Sequence, residues 1–277
     1  MRQILLLTDF SNNSINAIRY ALNLFKDEVC DFHVLHVESS KVYVSDDLVM
    51  GGGQSIYDSI LKKSKEKLSV LVDDFKSEFL NNNFTFHQVV DYDDLTESIN
   101  QLNSITPFDL LIMGSNGVSS AKEVLFGSNT INVIRNVKCP TLVVPEGFLY
   151  SKPSEVLIPL DVDDTLNSKA FNQLIQFIEH FGDKLHLLRI SAADEIALER
   201  EQDIETINTV FNAINYLYNS IENVPMEYAV ASYIQTHPIN LMALMVQKEN
   251  FIERFFKGSS TTKISSKLRV PLLVFHS

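Results

Sequence analysis

Short runs of consecutive apolar residues alternate along this chain with longer stretches in which apolar residues recur every three or four positions. Ile4–Leu7 is a run of the first kind, as expected for a parallel strand buried on both faces. Ser11, Asn12 and Asn13 offer side-chain caps for a helix start, and Ile15, Ile18, Leu22 and Phe25 follow at helical spacing. Phe32–Val37 predicts a second strand. Ile56–Leu80 predicts a long helix with Ile60, Leu61, Leu68, Leu71, Val72, Phe75 and Phe79 on one stripe. A third strand is expected over Phe84–Val90, a short helix over Leu95–Asn103 and a fourth strand over Leu110–Met113. A helix over Ser128–Arg135 and a fifth strand over Thr141–Val144 complete the series. This alternation implies a parallel sheet with helices on both faces and right-handed crossovers.

The pattern then repeats. Ile4-Leu5-Leu6-Leu7-Thr8-Asp9 resembles Val156-Leu157-Ile158-Pro159-Leu160-Asp161, both apolar runs ending in Asp. Phe32–Val37 resembles Leu185–Ile190, Val137–Val144 resembles Leu268–Val274, and Gly127-Ser128 matches Gly258-Ser259. Two copies of one unit predict two domains, 1–147 and 153–277, joined near Glu146–Pro153. The expected fold class is α/β, two doubly wound domains, each an open five-stranded parallel sheet. The second copy is shorter. Its third strand is placed at about Met226–Ala231 and its fourth at Leu241–Met245. The few residues between them predict a third helix lost or cut to one turn.

Composition narrows the partners. The 277 residues hold 35 acidic and 23 basic side chains, a net charge of −12, which argues against nucleic acid or an anionic membrane as partner. An anion held by backbone N–H groups stays compatible with that charge. Two cysteines, Cys30 and Cys139, are too few for a disulfide framework and are expected as small apolar fillers. No apolar run approaches the ~20 residues of a membrane span, and the N-terminus does not read as a signal peptide. The expected location is the cytoplasm.

Ligands of open α/β sheets bind beyond the carboxyl ends of the strands, where strand order reverses. The first strand ends at Thr8-Asp9. The fourth ends at Met113-Gly114 and opens into Gly114-Ser115-Asn116-Gly117, followed by Gly127-Ser128-Asn129-Thr130 and a helix. Gly114 and Gly117 permit close approach of backbone to a ligand. Gly127, Ser128 and Asn129 place N–H groups at a helix N-terminus whose dipole favours an anion, and Ser128 and Thr130 add hydroxyl donors. Ser128 is also the expected N-cap. No Gly-Lys-Ser/Thr follows, so the loop is not a P-loop.

Gly-x2-Gly-x9-Gly-Ser after a strand ending in Met, with a strand-terminal Asp near the N-terminus, resembles the ATP-binding pattern of the universal stress proteins. The resemblance extends over both halves, as a tandem universal stress protein of the adenine nucleotide alpha-hydrolase-like, Rossmann-like fold. It implies ATP in the first half, with Mg²⁺ on its phosphates. Thr8 and Asp9 would stand at the nucleoside, the Val37 backbone at adenine, and Met113 and Gly114 on the ribose side. Gly117, Gly127, Ser128 and Asn129 would hold phosphates. It further implies an intramolecular pseudo-dimer seamed by Thr141–Val144 and Leu272–Phe275, a stress-response role, a protein partner not identified by the sequence, and room for homodimers. Leu7 stands where the family often has Pro. In the second half, Met245 and Lys248 replace the glycines, which predicts a degenerate site; Lys248 and Arg254 would attract at most another anion.

Other features read more plainly. Asp9 also fits an Asx turn. Gly51-Gly52-Gly53 lacks a following Lys-Ser/Thr and fits a surface loop over the adenine side. His33 and His36 point to opposite strand faces and cannot pair on a metal. Asp91, Asp93 and Asp94 read as a solvated strand end, Asp163-Asp164 as a helix start, and Glu195, Glu199, Glu201 and Glu205 as an exposed helix face. No catalytic constellation is present, so the reading is of a binding protein; slow ATP hydrolysis is compatible with the family but has no identifiable base. Two alternatives stand beside it. One is an interaction scaffold that binds no nucleotide. The other is an enzyme of the wider superfamily, whose pyrophosphatase loop Ser-Gly-Gly-x-Asp-Ser is not matched by Thr8-Asp9-Phe10-Ser11-Asn12-Asn13.

Overall fold

A computed structural model describes residues 1–38, 53–80, 83–115, 126–161, 164–191, 196–210, 215–246 and 270–276. The described residues up to Tyr150 form one compact unit and those from Ser151 a second.

In the first unit, strands β1 (Arg2–Leu7), β2 (Cys30–Val37), β3 (Phe84–Asp91), β4 (Leu110–Gly114) and β5 (Thr141–Val144) alternate with helices. The helices are α1 (Asn12–Leu24), α2 (Gly53–Glu78), α3 (Leu95–Ile105) and α4 (Ser128–Asn136). The strands pair in parallel in the order β3-β2-β1-β4-β5. Ile4, Leu5, Leu6, Leu111 and Ile112 are fully buried, which is why the central strands read as unbroken apolar runs. Helix α2 turns Ser64, Leu68, Val72 and Phe75 inward at helical spacing.

The second unit contains β6 (Glu155–Leu160), α5 (Lys169–Phe181), β7 (Lys184–Ser191), α6 (Ile196–Val210), β8 (Asn215–Glu222), α7 (Met226–Thr236), β9 (Leu241–Val246) and β10 (Leu272–His276). Its strands follow the same order, β8-β7-β6-β9-β10. The registers agree residue by residue. Ile4 pairs with Phe32 and Leu110 in the first sheet, and Val156 with Leu185 and Leu241 in the second. This register sets Gly114 against Met245 and His36 against Arg189 as counterparts.

Three expectations for the second unit are overturned: the place of its third strand, the loss of its third helix, which is present at eleven residues, and the helix start at Asp163-Asp164. Met226–Ala231 is not a strand but the start of α7, an eleven-residue helix with Ala229, Val230, Ala231 and Tyr233 buried on one side. The third strand lies upstream at β8, whose alternating half-buried and exposed residues mark a strand paired on one side only within this unit. Asp164 likewise does not start a helix. Its carboxylate accepts from the Asp161 N–H, and α5 begins only after the Ser168 cap. Asp163 lies outside the described residues.

Candidate functional site

Strand order in the first unit reverses between β1 and β4, so the ligand position of an open sheet falls beyond the ends of these two strands. The chain leaves β1 through a tight turn. Phe10 adopts a left-handed backbone (φ 63°), while one oxygen of Asp9 accepts from the backbone N–H of Ser11 at 3.0 Å and from its hydroxyl at 2.5 Å. This is the Asx turn that the sequence allowed. Ser11 then caps α1 by accepting from the Ser14 N–H. Thr8 is buried, and its hydroxyl meets Ser14 Oγ at 3.1 Å, tying β1 to α1.

Gly114 ends β4 with Asn13 of α1 directly against it. A Cβ there would lie 2.8 Å from Asn13 Nδ2 and 3.1 Å from the Asn13 carbonyl oxygen. Glycine is needed at this point for packing, before any ligand is considered. Beyond it, the Ser115 carbonyl accepts from the Gly127 N–H at 2.8 Å and from the Thr130 hydroxyl at 2.8 Å. These bonds seat the start of α4 against the end of β4. Gly127, not Ser128, is the N-cap, because it keeps an extended backbone while Ser128 is already helical. Thr130 is buried and turned back on Ser115, so its hydroxyl is a strap rather than a ligand donor. Ser128 and Asn129 are exposed at the opening turn, and among the described residues nothing accepts from their N–H groups. No acidic residue stands in that turn, so the positive end of the helix dipole is unopposed.

The structure therefore brings Thr8, Asp9, Val37, Met113, Gly114, Gly127, Ser128 and Asn129 to one end of one sheet. Met113 is buried in β4, and Val37 is the half-buried last residue of β2. Gly117 lies outside the described residues, as do Lys248, Arg254, Gly258 and Ser259 in the second unit.

Sequence reasoning missed the polar chain beside Val37. His36 is buried, and its Nδ1 donates to the Thr8 carbonyl at 2.8 Å. Its Nε2 stands 3.3 Å from Glu38 Oε1, and the Ser64 hydroxyl of α2 donates to the same oxygen. Burial raises the Glu38 pKa, but Ser64 and His36 outweigh it and hold the carboxyl below its usual range. Phe10 lies over the imidazole with ring centres 4.3 Å apart, and Lys67 Nζ stands 5.5 Å from the Phe10 ring. The available signal was a His and a Glu flanking a strand-end residue on the same face.

At the matching end of the second unit, described side chains pair with one another. Arg189 of β7 forms a two-pronged pair with Asp203 of α6, with Nη2 at 2.7 Å and Nε at 2.9 Å from its oxygens. Its Nη1 donates to the carbonyls of Asp161 and Asp164. Tyr218 donates to Asp203 at 2.6 Å. Burial works against the Arg189 charge, but the Asp203 carboxylate overrides it and raises the pKa. Met245, the counterpart of Gly114, is buried.

The remaining expectations resolve simply. Cys30 and Cys139 are buried, and burial pushes each thiol up to about 12. Asp94 is the N-cap of α3 rather than only a solvated strand end. Gly53 opens α2, whereas Gly51 and Gly52 lie outside the described residues. Glu201 and Glu205 are exposed on α6; Glu195 lies outside the described residues. Among the described residues, no cluster of three or more His, Cys, Asp or Glu could hold a metal, and no helix is long and apolar enough to cross a membrane.

Comparison with known proteins completes the picture. Residues 1–145 match the universal stress protein family model. The universal stress protein MJ0531 of Methanocaldococcus jannaschii is 26% identical over 149 residues, 52% of this chain and 81% of that protein. The universal stress protein MJ0577 of the same organism is 28% identical over 153 residues, 52% of this chain and 94% of that protein. A universal stress protein from Archaeoglobus fulgidus has the same fold over 99% of this chain and 98% of its own, with a TM-score of 0.66 and 18% identity. A family model spanning more than half the chain, on a site assembled at the switch point of the first sheet, leads to one conclusion: the chain belongs to the universal stress protein family.

Proposed function

We propose that this protein is an ATP-binding regulator of a stress response. The nucleotide is held by the first unit, and the second unit is a tandem copy of the domain whose own site is degenerate. The observation that carries the reading is the seam between β4 and α4. There Gly114 lets the strand end close against α1, and the bonds to Ser115 aim the open N–H groups of Ser128 and Asn129 past that end. Backbone donors suit a polyanion in a protein of net charge −12. Thr8, Asp9, Val37, Met113 and Gly114 would hold the nucleoside, and Gly117, Gly127, Ser128 and Asn129 the phosphates. Mg²⁺ would enter on the phosphates. The role is binding and signalling rather than turnover, in the cytoplasm, with a protein partner that reads the nucleotide-loaded surface.

Calorimetric titration of nucleotide-free protein with ATP and Mg²⁺ tests this. One site per chain is expected, and Gly117→Val should abolish it with the fold retained. Two sites would overturn the degenerate reading of the second unit. No binding by folded protein would move the assignment to a scaffold that takes no nucleotide, a role that the paired side chains at the second unit's strand ends also fit.

A further inference from the structure

The chain Ser64–Glu38–His36–Thr8 crosses three elements within one residue of the position proposed for adenine. Ser64 lies on α2, Glu38 and His36 at the end of β2, and Thr8 just past β1. The proton inventory is restrictive. The Thr8 carbonyl can only accept, so Nδ1 of His36 carries a proton. On its other side, Nε2 faces Glu38 Oε1 at 3.3 Å, and an ionised carboxylate can only accept as well. A neutral imidazole would turn a lone pair toward that carboxylate, whereas an imidazolium satisfies both neighbours. Phe10 lies over the ring, Val90 is the partner of His36 on β3, and Ser64 donates into Glu38 from α2. Lys67, also from α2, adds a positive charge that acts on Glu38.

We infer that His36 is a positioning residue. As an imidazolium bridging the Thr8 carbonyl and Glu38, it sets the ends of β1 and β2 so that Thr8, Asp9 and the Val37 backbone meet the nucleoside together. This rests on the nucleotide reading above. Without the Nε2 proton, two acceptors would stand face to face at the strand ends.

The test uses the full ¹⁵N-labelled chain. At about pH 6.5, imidazole NMR is expected to show both ring nitrogens of His36 protonated. Glu38→Gln, which keeps the shape, should return the ring to one proton at that pH. ATP affinity is then measured at the same pH for wild type, His36→Gln and Glu38→Gln. Wild type should bind about tenfold tighter than either variant. A wild-type protein that binds ATP with a singly protonated His36, or with the same affinity as His36→Gln, overturns this inference and leaves the nucleotide site standing. A folded wild type that binds no ATP overturns the nucleotide reading and this inference with it.

Discussion

The two units share strand order and register but set different side chains at the carboxyl ends of their strands. Where the first unit has Gly114, backed by Asn13, the second has a buried Met245. His36 bridges a carbonyl and a carboxylate; its counterpart Arg189 donates to two carbonyls and a carboxylate. Ser64 and Asp203 stand alike, each buried and four residues before a fully buried apolar residue of its helix, Leu68 or Ile207. One offers a hydroxyl to the strand end and the other a full charge. A repeated backbone thus leaves function open. A few side chains at matched positions decide which polar groups the strand ends present.

The largest effect is expected at the buried ion pair that the second unit sets at its strand ends. Asp203→Ala leaves the Arg189 guanidinium buried without its carboxylate, and breaking such a pair costs about 3–5 kcal/mol. Denaturant unfolding should show that loss. ATP affinity should stay unchanged, because the pair lies in the unit proposed to bind none. Replacing both partners together, Arg189→Met with Asp203→Leu, should be near neutral. A single variant costing less than about 1 kcal/mol would mean that water already reaches the pair and that the second site is more open than its geometry indicates.

Exchanging the comparison at Gly114 and Met245 comes next. Met245→Ala removes a buried side chain and should cost about 2–4 kcal/mol of stability, with no effect on ATP. Gly114→Ala should cost less, about 1–3 kcal/mol, because the new Cβ must displace Asn13 and part of α1. It should nevertheless weaken ATP binding at least about tenfold by shifting Thr8 and the start of α4. Gly114→Ala with unchanged affinity would separate the packing role of this glycine from the site.

Much of this comparison was legible in the chain, for identifiable reasons. The strands of the first unit lie within about two residues of their apolar runs, because central parallel strands must be apolar on both faces. Met245 was matched to Gly114 by spacing alone, and the sheet registers place it there independently. Strand β8 was missed because its exposed, polar-rich pattern carries no apolar run, while contiguous Val230 and Ala231 made α7 look like a strand. Thr130 was misread because a hydroxyl at a helix start does not reveal which way it turns. The Ser64–Glu38–His36 chain was illegible for a different reason. Ser64 and Glu38 are 26 positions apart, and only the packing of α2 on β2 joins them. Spacing rules report what one element presents, not what two elements share.

The smallest effect concerns the amino ends of the strands, where Gln3 of the first unit is matched by Glu155 of the second. His33 donates from Nε2 to Gln3 Oε1 at 3.0 Å, with the amide turned by Asp31. His186 occupies the matching position and faces Glu155 at 2.5 Å, while Nδ1 accepts from Tyr233, which in turn accepts from Asn219. Burial lowers both histidine pKa values; His87 adds to the lowering at His33, whereas Glu155 opposes it at His186. The unfolded chain takes up these protons near pH ~6.5, more readily than the folded one, so each histidine withdraws stability as pH falls through that value toward its own lowered one. Glu155→Gln copies the Gln3 arrangement into the second unit and removes the opposing influence. Stability should then fall more steeply on acidification than in wild type, and His186→Gln should flatten the same curve. Thermal unfolding from about pH 8 to about pH 5 reads both slopes. A Glu155→Gln curve no steeper than wild type would show that Tyr233 and Asn219, not the carboxylate, govern the proton on His186.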